Sequence, residues 1–212
     1  MLLRARVSVL DRPGALLSMA KVIADAGGNI VDIEVLATAD GRVVDDLVVE
    51  MAGNDRNALA ERLKAAGAEV LNVRSTVQIS GQRRDLDLLA RIAADPAEAL
   101  ASFIALAPSV WSGDWAAAVS DAAANPQATP GAPRPLPESM PEPVGPVPRR
   151  GTVRSADGRS FEVVGVTWPG RGADRVYVGR SDGPIFLQVE LVHLRRVVEL
   201  VASLYAAPAT VS

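Results

Sequence analysis

The chain has 212 residues, 49% hydrophobic and 22% charged, an ordinary globular balance with room for one large or two small domains. Its 22 basic and 25 acidic residues leave a formal charge of -3. With no cysteine and one histidine, His193, it cannot form disulfides, thiolate nucleophiles, cysteine-ligated zinc or iron–sulfur sites.

Charge is spread evenly. Residues 1–80 hold 9 basic and 11 acidic side chains, and the remainder 13 and 14. Neither part has the basic excess that phosphate neutralisation needs, so no nucleic-acid partner is expected. No uncharged apolar run approaches the ~18–20 residues needed to span a bilayer. The longest, from Ala99 to Gly113, contains Pro108, and Arg4 and Arg6 interrupt the first residues before a signal-peptide core can form. The expectation is a soluble, cytoplasmic protein without a membrane partner.

From the start of the chain, Leu3, Ala5, Val7 and Val9 alternate with Arg4, Arg6 and Ser8, the period of a half-buried strand over 3–10. Asp11-Arg12-Pro13-Gly14 is a turn sequence before a helix. Leu16, Ala20 and Ile23 form the helix's apolar face, flanked by Leu17 and Ala24, and Gly27-Gly28 ends it. A second strand begins at Asn29, with Val31, Ile33 and Val35 on one side and Asp32 and Glu34 on the other. Asp40-Gly41 turns the chain into a third strand, Val43–Met51, a strong hairpin signal. Asn54 or Asp55 caps a second helix with Leu59, Leu63 and Ala66 inward, and Gly67 stops it. A fourth strand covers Glu69–Val77. The order β-α-β-β-α-β predicts a ferredoxin-like unit with the first strand central, beside the third and fourth. Arg4 and Arg6 then face Asp46 and Glu50 on a solvated sheet surface, which also accounts for Asp32, Glu34 and Asp45.

Ser80–Arg84 reads as a linker between a domain at 1–79 and another at 85–212. Asp85–Leu106 is helical and broken near Asp95-Pro96, where Asp95 can cap. Trp111–Val119 suggests a strand. Residues 126–148 carry nine of the fifteen prolines and predict an extended or disordered loop without a packed element. Strands follow at Gly151–Ser155, Ser160–Trp168 and Asp174–Arg180, the first two joined by Ala156-Asp157-Gly158. The chain closes on a helix from Leu187 to Tyr205 with Leu191, Leu194, Val198 and Val201 on one stripe. This second unit is α+β as well.

No catalytic constellation emerges, so no catalytic residue, metal ligand or cofactor is expected. Gly170-Arg171-Gly172 is short enough for a hairpin turn, and Trp111, Trp115 and Trp168 suit a core. His193 reads as a helix-surface or packing residue and Arg195-Arg196 as an ordinary helix charge pair. The informative feature is the loop before the first helix. Gly14 lets a ligand approach the backbone, and helix N–H groups around Ala15 and Leu16 suit a carboxylate. Asn29 offers both donor and acceptor for an ammonium group and its surroundings. Together they suit a small zwitterion.

Val9-Leu10-Asp11-Arg12-Pro13-Gly14-Ala15-Leu16, Ala26-Gly27-Gly28-Asn29-Ile30 and Asp40-Gly41-Arg42-Val43-Val44-Asp45-Asp46-Leu47-Val48-Val49 carry a resemblance over residues 3–77. That stretch resembles an ACT domain, the amino-acid-sensing module of metabolic enzymes and regulators. The resemblance implies two such domains pairing, often edge to edge, with a small amino acid at their interface. On it we carry Asp11, Gly14, Ala15, Asn29 and Ile30 as ligand-binding residues. The second half more faintly resembles a reduced GAF domain, through its opening helices, Trp-Ala-Ala-Ala-Val, and Asp174-Arg175-Val176-Tyr177-Val178-Gly179-Arg180 leading into the last helix. In place of the part that usually encloses a GAF ligand stands the proline-rich stretch. The function expected is a non-enzymatic, amino-acid-binding regulatory protein acting as a homodimer and signalling to a protein partner. The alternative is a ligand-silent dimerisation or interaction scaffold.

Overall fold

β1 (Leu2–Leu10) lies inside the first sheet because Leu3, Ala5, Val7 and Val9 meet helices on one face while Arg4, Arg6 and Ser8 find polar partners on the other. The computed structural model describes residues 1–53, 55–76, 84–122, 125–181 and 183–206, in two units, Met1–Gln82 and Arg83–Ser212. The N-terminal unit continues with α1 (Ala15–Asp25), β2 (Asn29–Ala39), β3 (Arg42–Glu50), α2 (Arg56–Ala65) and β4 (Glu69–Thr76). The sheet order is β2-β3-β1-β4, so β1 is central as expected. Asp40 and Gly41 both take positive φ, 53° and 69°, the geometry that joins β2 tightly to β3. Asp55 caps α2, accepting a hydrogen bond of 2.8 Å from the Ala58 N–H; Asn54, the other cap considered, lies outside the described residues.

Three details of this unit depart from the periodicity. On α1 the buried residues are Met19 and Ile23, while Leu16 and Leu17 are exposed. In β2, register shifts between Ile30 and Asp32 and between Val35 and Ala37 break the simple alternation. Ile30 therefore packs on the core, and Ile33 and Val35 stay exposed.

The third departure is the polar sheet face, which is buried rather than solvated. Arg4, Arg6, Ser8 and Asp46 are each 6% exposed or less. Arg6 grips Asp46 with both ends of its fork, Nε to Oδ1 at 2.7 Å and Nη2 to Oδ2 at 2.8 Å, and Arg4 Nη1 lies 3.6 Å from Oδ2. The register explains the pairing, since Arg6 is directly opposite Asp46 on β3. Glu50 instead pairs with Leu2 at the strand end and is exposed. Asp45 is buried too, so of the expected solvated acids Glu50 and those of β2 reach the surface.

The C-terminal unit opens with α3 (Arg84–Ala94), a short 3-10 turn capped by Asp95, and α4 (Ala99–Val110). Residues 80–83 of the expected linker lie outside the described residues, and Arg84 opens α3. β5 (Trp115–Val119) starts four residues later than Trp111, because 111–113 turn the chain. β6 (Gln127–Ala128), β7 (Arg149–Arg154), β8 (Ser160–Thr167), β9 (Arg175–Ser181) and α5 (Gln188–Ala206) follow. The five strands form an antiparallel sheet in the order β6-β5-β9-β8-β7. Gly179 is required opposite Trp115, since a Cβ there would lie 2.1 Å from the indole ring.

Each face of this sheet has a core. On one, Ala116, Val164 and Val178 meet Leu88, Phe103, Leu194 and Val198 from the helices. Phe103 stands between Trp111 and Trp168, at ring centroid distances of 5.6 and 5.1 Å, so both tryptophans are core residues. On the other face, Trp115, Phe161, Val163 and Tyr177 are covered by Ala132, Leu136 and Met140 of the proline-rich segment. That segment is extended, as its composition predicts, but packed rather than disordered. Thr129 fastens it: its N–H donates to the Ala116 carbonyl at 2.9 Å, and its hydroxyl accepts the Ala116 N–H at 2.9 Å.

Arg180 is the polar hub of the unit, 1% exposed. It donates to the carbonyls of Trp111 (2.7 Å), Ser112 (3.2 Å) and Pro184 (3.2 Å), ion-pairs with Glu190, and lies 3.8 Å from the Phe186 ring centroid. Glu190 in turn accepts the Leu187 N–H at 2.7 Å, capping α5.

Candidate functional site

The loop from Leu10 to Ala15 is held by its backbone. The Asp11 N–H donates to the Gly41 carbonyl (2.8 Å) and the Ala15 N–H to the Arg12 carbonyl (3.2 Å). Gly14 sits at φ +87°, a left-handed conformation in which a side chain is strained. A Cβ there would meet nothing within 4 Å, so the space over the loop is open. Ser18 closes the first turn onto the Gly14 carbonyl with its N–H (3.1 Å) and its hydroxyl (3.2 Å). The Ala15 amide, expected to face a ligand, is thus used internally. Among the described residues, the helix amides left without an acceptor are those of Leu16 and Leu17.

Asp11, Gly14 and Ala15 cluster at one end of the unit, and Asn29 and Ile30 lie at the other. Leu10 pairs with Arg42, whereas Asn29 pairs with Glu50, the residue level with Leu2. Eight residues of extended chain separate these levels, roughly 27 Å at the usual rise. Nor does β2 neighbour β1, since β3 lies between them. Asn29 is exposed at the start of an edge strand, and Ile30 packs into the core. One unit therefore does not assemble the five residues into one site.

Beside the exposed Asp11 and Arg12 of the loop, apolar side chains of β1, α1 and β2 are exposed. Leu10, Leu16, Leu17, Ile33 and Val35 are exposed, Leu17 by 73% and Val35 by 63%. On β3 lies Asp45, which the sequence placed on a solvated face. It pairs with Val7 and Val35 on the helix-covered side, and its Oδ1 has no hydrogen-bond partner among the described residues. Burial, and next the Asp46 charge, push its carboxyl above the ordinary range. Glu34 is raised for the same two reasons in the same order.

A raised carboxyl makes the folded state the better proton binder, so the Asp45 charge disfavours folding above the unfolded value and stops doing so below it. Asp45→Asn is accordingly expected to raise the melting temperature at pH 7, with the gain shrinking as pH falls through the carboxylate range. Thermal denaturation across pH checks this; a gain that grows on acidification would refute it.

Residues 4–68 match the ACT domain family. An ACT domain implies a regulatory role based on binding a small ligand. Among solved structures, the chain is similar to an ACT domain protein from Streptococcus pneumoniae, at 22% identity and a TM-score of 0.30, over 35% of this chain and 89% of that one. It is also similar to an unknown protein from Galdieria sulphuraria, at 11% identity and a TM-score of 0.34, over 97% and 91%. A third similarity is to a formyltetrahydrofolate deformylase from Pseudomonas putida KT2440, at 15% identity and a TM-score of 0.29, over 45% of this chain and 39% of that enzyme. No curated protein matches.

Elsewhere, His193 lies 3.5 Å from Asp85, and its ring is tilted by 46° against Trp111 with the centroids 5.5 Å apart. Arg195 pairs with Glu199 along α5 at 3.3 Å. Among the described residues no group of three or more acidic or histidine side chains could hold a metal, and no helix is long and apolar enough to cross a membrane.

Proposed function

We propose that this chain is a non-enzymatic regulatory protein that binds a small amino acid between the ACT domains of a homodimer. The observation that carries the proposal is the split of the candidate residues between the two ends of one unit. β2 is an edge strand, and antiparallel pairing of two β2 edges brings the Asn29 end of one protomer beside the loop end of its partner. The Leu16 and Leu17 amides of one copy would then receive the carboxylate, and Asn29 of the other the ammonium group. Exposed Leu10, Leu17 and Val35 supply the apolar surface that such pairing would bury.

Ligand shared by two protomers favours the paired state by its differential affinity for it. The C-terminal unit, read as a GAF-like domain from its opening helices, antiparallel sheet and closing helix, would report that shift to a protein partner. The scaffold alternative shares the interface and differs only in ignoring amino acids.

A thermal-shift screen of the twenty amino acids tests both readings. A ligand at ~100 times its dissociation constant adds ~2.7 kcal/mol of stability. We expect one selective hit, lost in Asn29→Ala with the unliganded melting temperature unchanged. A hit that survives Asn29→Ala would remove Asn29 from the site, and a flat screen would favour the scaffold.

A further inference from the structure

A cavity of about 410 Å³ lies in the C-terminal unit between the start of β7 and the first turns of α5. This is within the size range of small-molecule sites. Its polar lining is Arg149 and Arg150 from the strand, with Gln188 and Arg195 from the helix; Val147 and Leu191 provide apolar wall. Gln188, Leu191 and Arg195 fall on one helical face because they are spaced by three and four.

Successive strand residues point to opposite faces, so a cavity lined by both Arg149 and Arg150 wraps the strand's outer edge. β7 is terminal in its sheet and pairs only with β8 among the described residues, leaving outward backbone groups at that edge. Arg150 is steadied by donating to the Phe186 carbonyl, just before α5.

The charge here is unbalanced. Arg149 and Arg150 have no carboxylate at ion-pair distance among the described residues, and Arg195 has only Glu199. A chain of net charge -3 thus gathers three guanidinium groups against one acid around a single concavity. Like charges repel unless an anion offsets them, and the planar guanidinium fork matches the oxygens of carboxylate and phosphate alike.

We propose that this cavity binds a compact dianion or trianion built from oxyanion groups, in a site separate from the amino-acid site and independent of it. The arginines take the anionic oxygens, Gln188 supplies a neutral hydrogen bond, and Val147 and Leu191 border the carbon frame. Carboxylates and phosphates share this chemistry.

Isothermal titration of the full chain with pyrophosphate and with citrate, at low ionic strength, tests the site and separates the two sources. Saturable one-to-one binding of either probe is expected. It should weaken at least roughly tenfold for each arginine removed in Arg149→Gln/Arg195→Gln, since hydrogen bonds to charged groups are the strong ones. Both arginine heads are exposed, so the fold should survive. Glu199→Gln, which keeps all three cations and removes their competitor, should tighten binding. Arg62→Gln, in the other unit, should leave it unchanged. Absence of saturable heat with both probes, an equal loss in Arg62→Gln, or unaltered binding in Glu199→Gln would overturn the proposal.

Discussion

Arg180→Met is expected to destabilise the C-terminal unit by about 3–5 kcal/mol, the usual result of breaking a buried ion pair by removing one partner. The substitution keeps most of the stem's volume yet strips donors from the Trp111, Ser112 and Pro184 carbonyls, and it takes the Arg180 charge from the Glu190 carboxylate. It also removes the guanidinium from the face of Phe186. Because these partners tie the end of α4, the loop before α5 and α5 itself to β9, the damage should spread beyond one contact. Glu190→Gln is the milder control, since an amide oxygen can still accept the Leu187 N–H. Denaturant unfolding followed by tryptophan fluorescence reads the loss; a change below about 1 kcal/mol, the ordinary value of an exposed pair, would contradict this account.

Asp46→Ala should cost the N-terminal unit a similar amount, about 3–5 kcal/mol. It takes the shared carboxylate from Arg6 and Arg4, both nearly fully buried. A solvated pair would be worth ~0–1 kcal/mol and would fade with salt, whereas a buried one is screened little. Unfolding at low and at high ionic strength therefore distinguishes the two. We expect a large loss nearly independent of salt; a small, salt-sensitive one would restore the solvated-face reading.

That contrast marks what the sequence could say. Strand alternation put Arg6 and Asp46 on the same face, and the ferredoxin-like order put β1 beside β3, so their pairing was legible. Their burial was not, because periodicity separates two faces without stating whether either meets water. α1 shows the converse limit: Leu16, Leu17 and Met19 are all apolar, and only the packing decides that Met19 goes in. The bulges of β2 similarly shift Ile30 inward against a pattern that favoured Val31, Ile33 and Val35. For the candidate site, residue types and loop geometry were readable from Asp11-Arg12-Pro13-Gly14. The position of Asn29 at the far end of the sheet followed only from register. The arginine cavity had no linear signal, since Arg149 and Arg195 lie 46 positions apart.

The cover over Trp115, Phe161 and Tyr177 illustrates an economy of chain freedom. Fixing an ordinary residue's backbone costs about 1–2 kcal/mol. Nine positions between 126 and 148 are prolines, whose φ is already set in the unfolded chain. Part of the segment's disorder is thus absent before folding begins, and correspondingly less remains to be lost when it settles. A strip with only a two-residue strand can therefore be held in place by Ala132, Leu136, Met140 and the bonds at Thr129. The property that marks these residues as unable to build a helix or sheet also makes them inexpensive to immobilise.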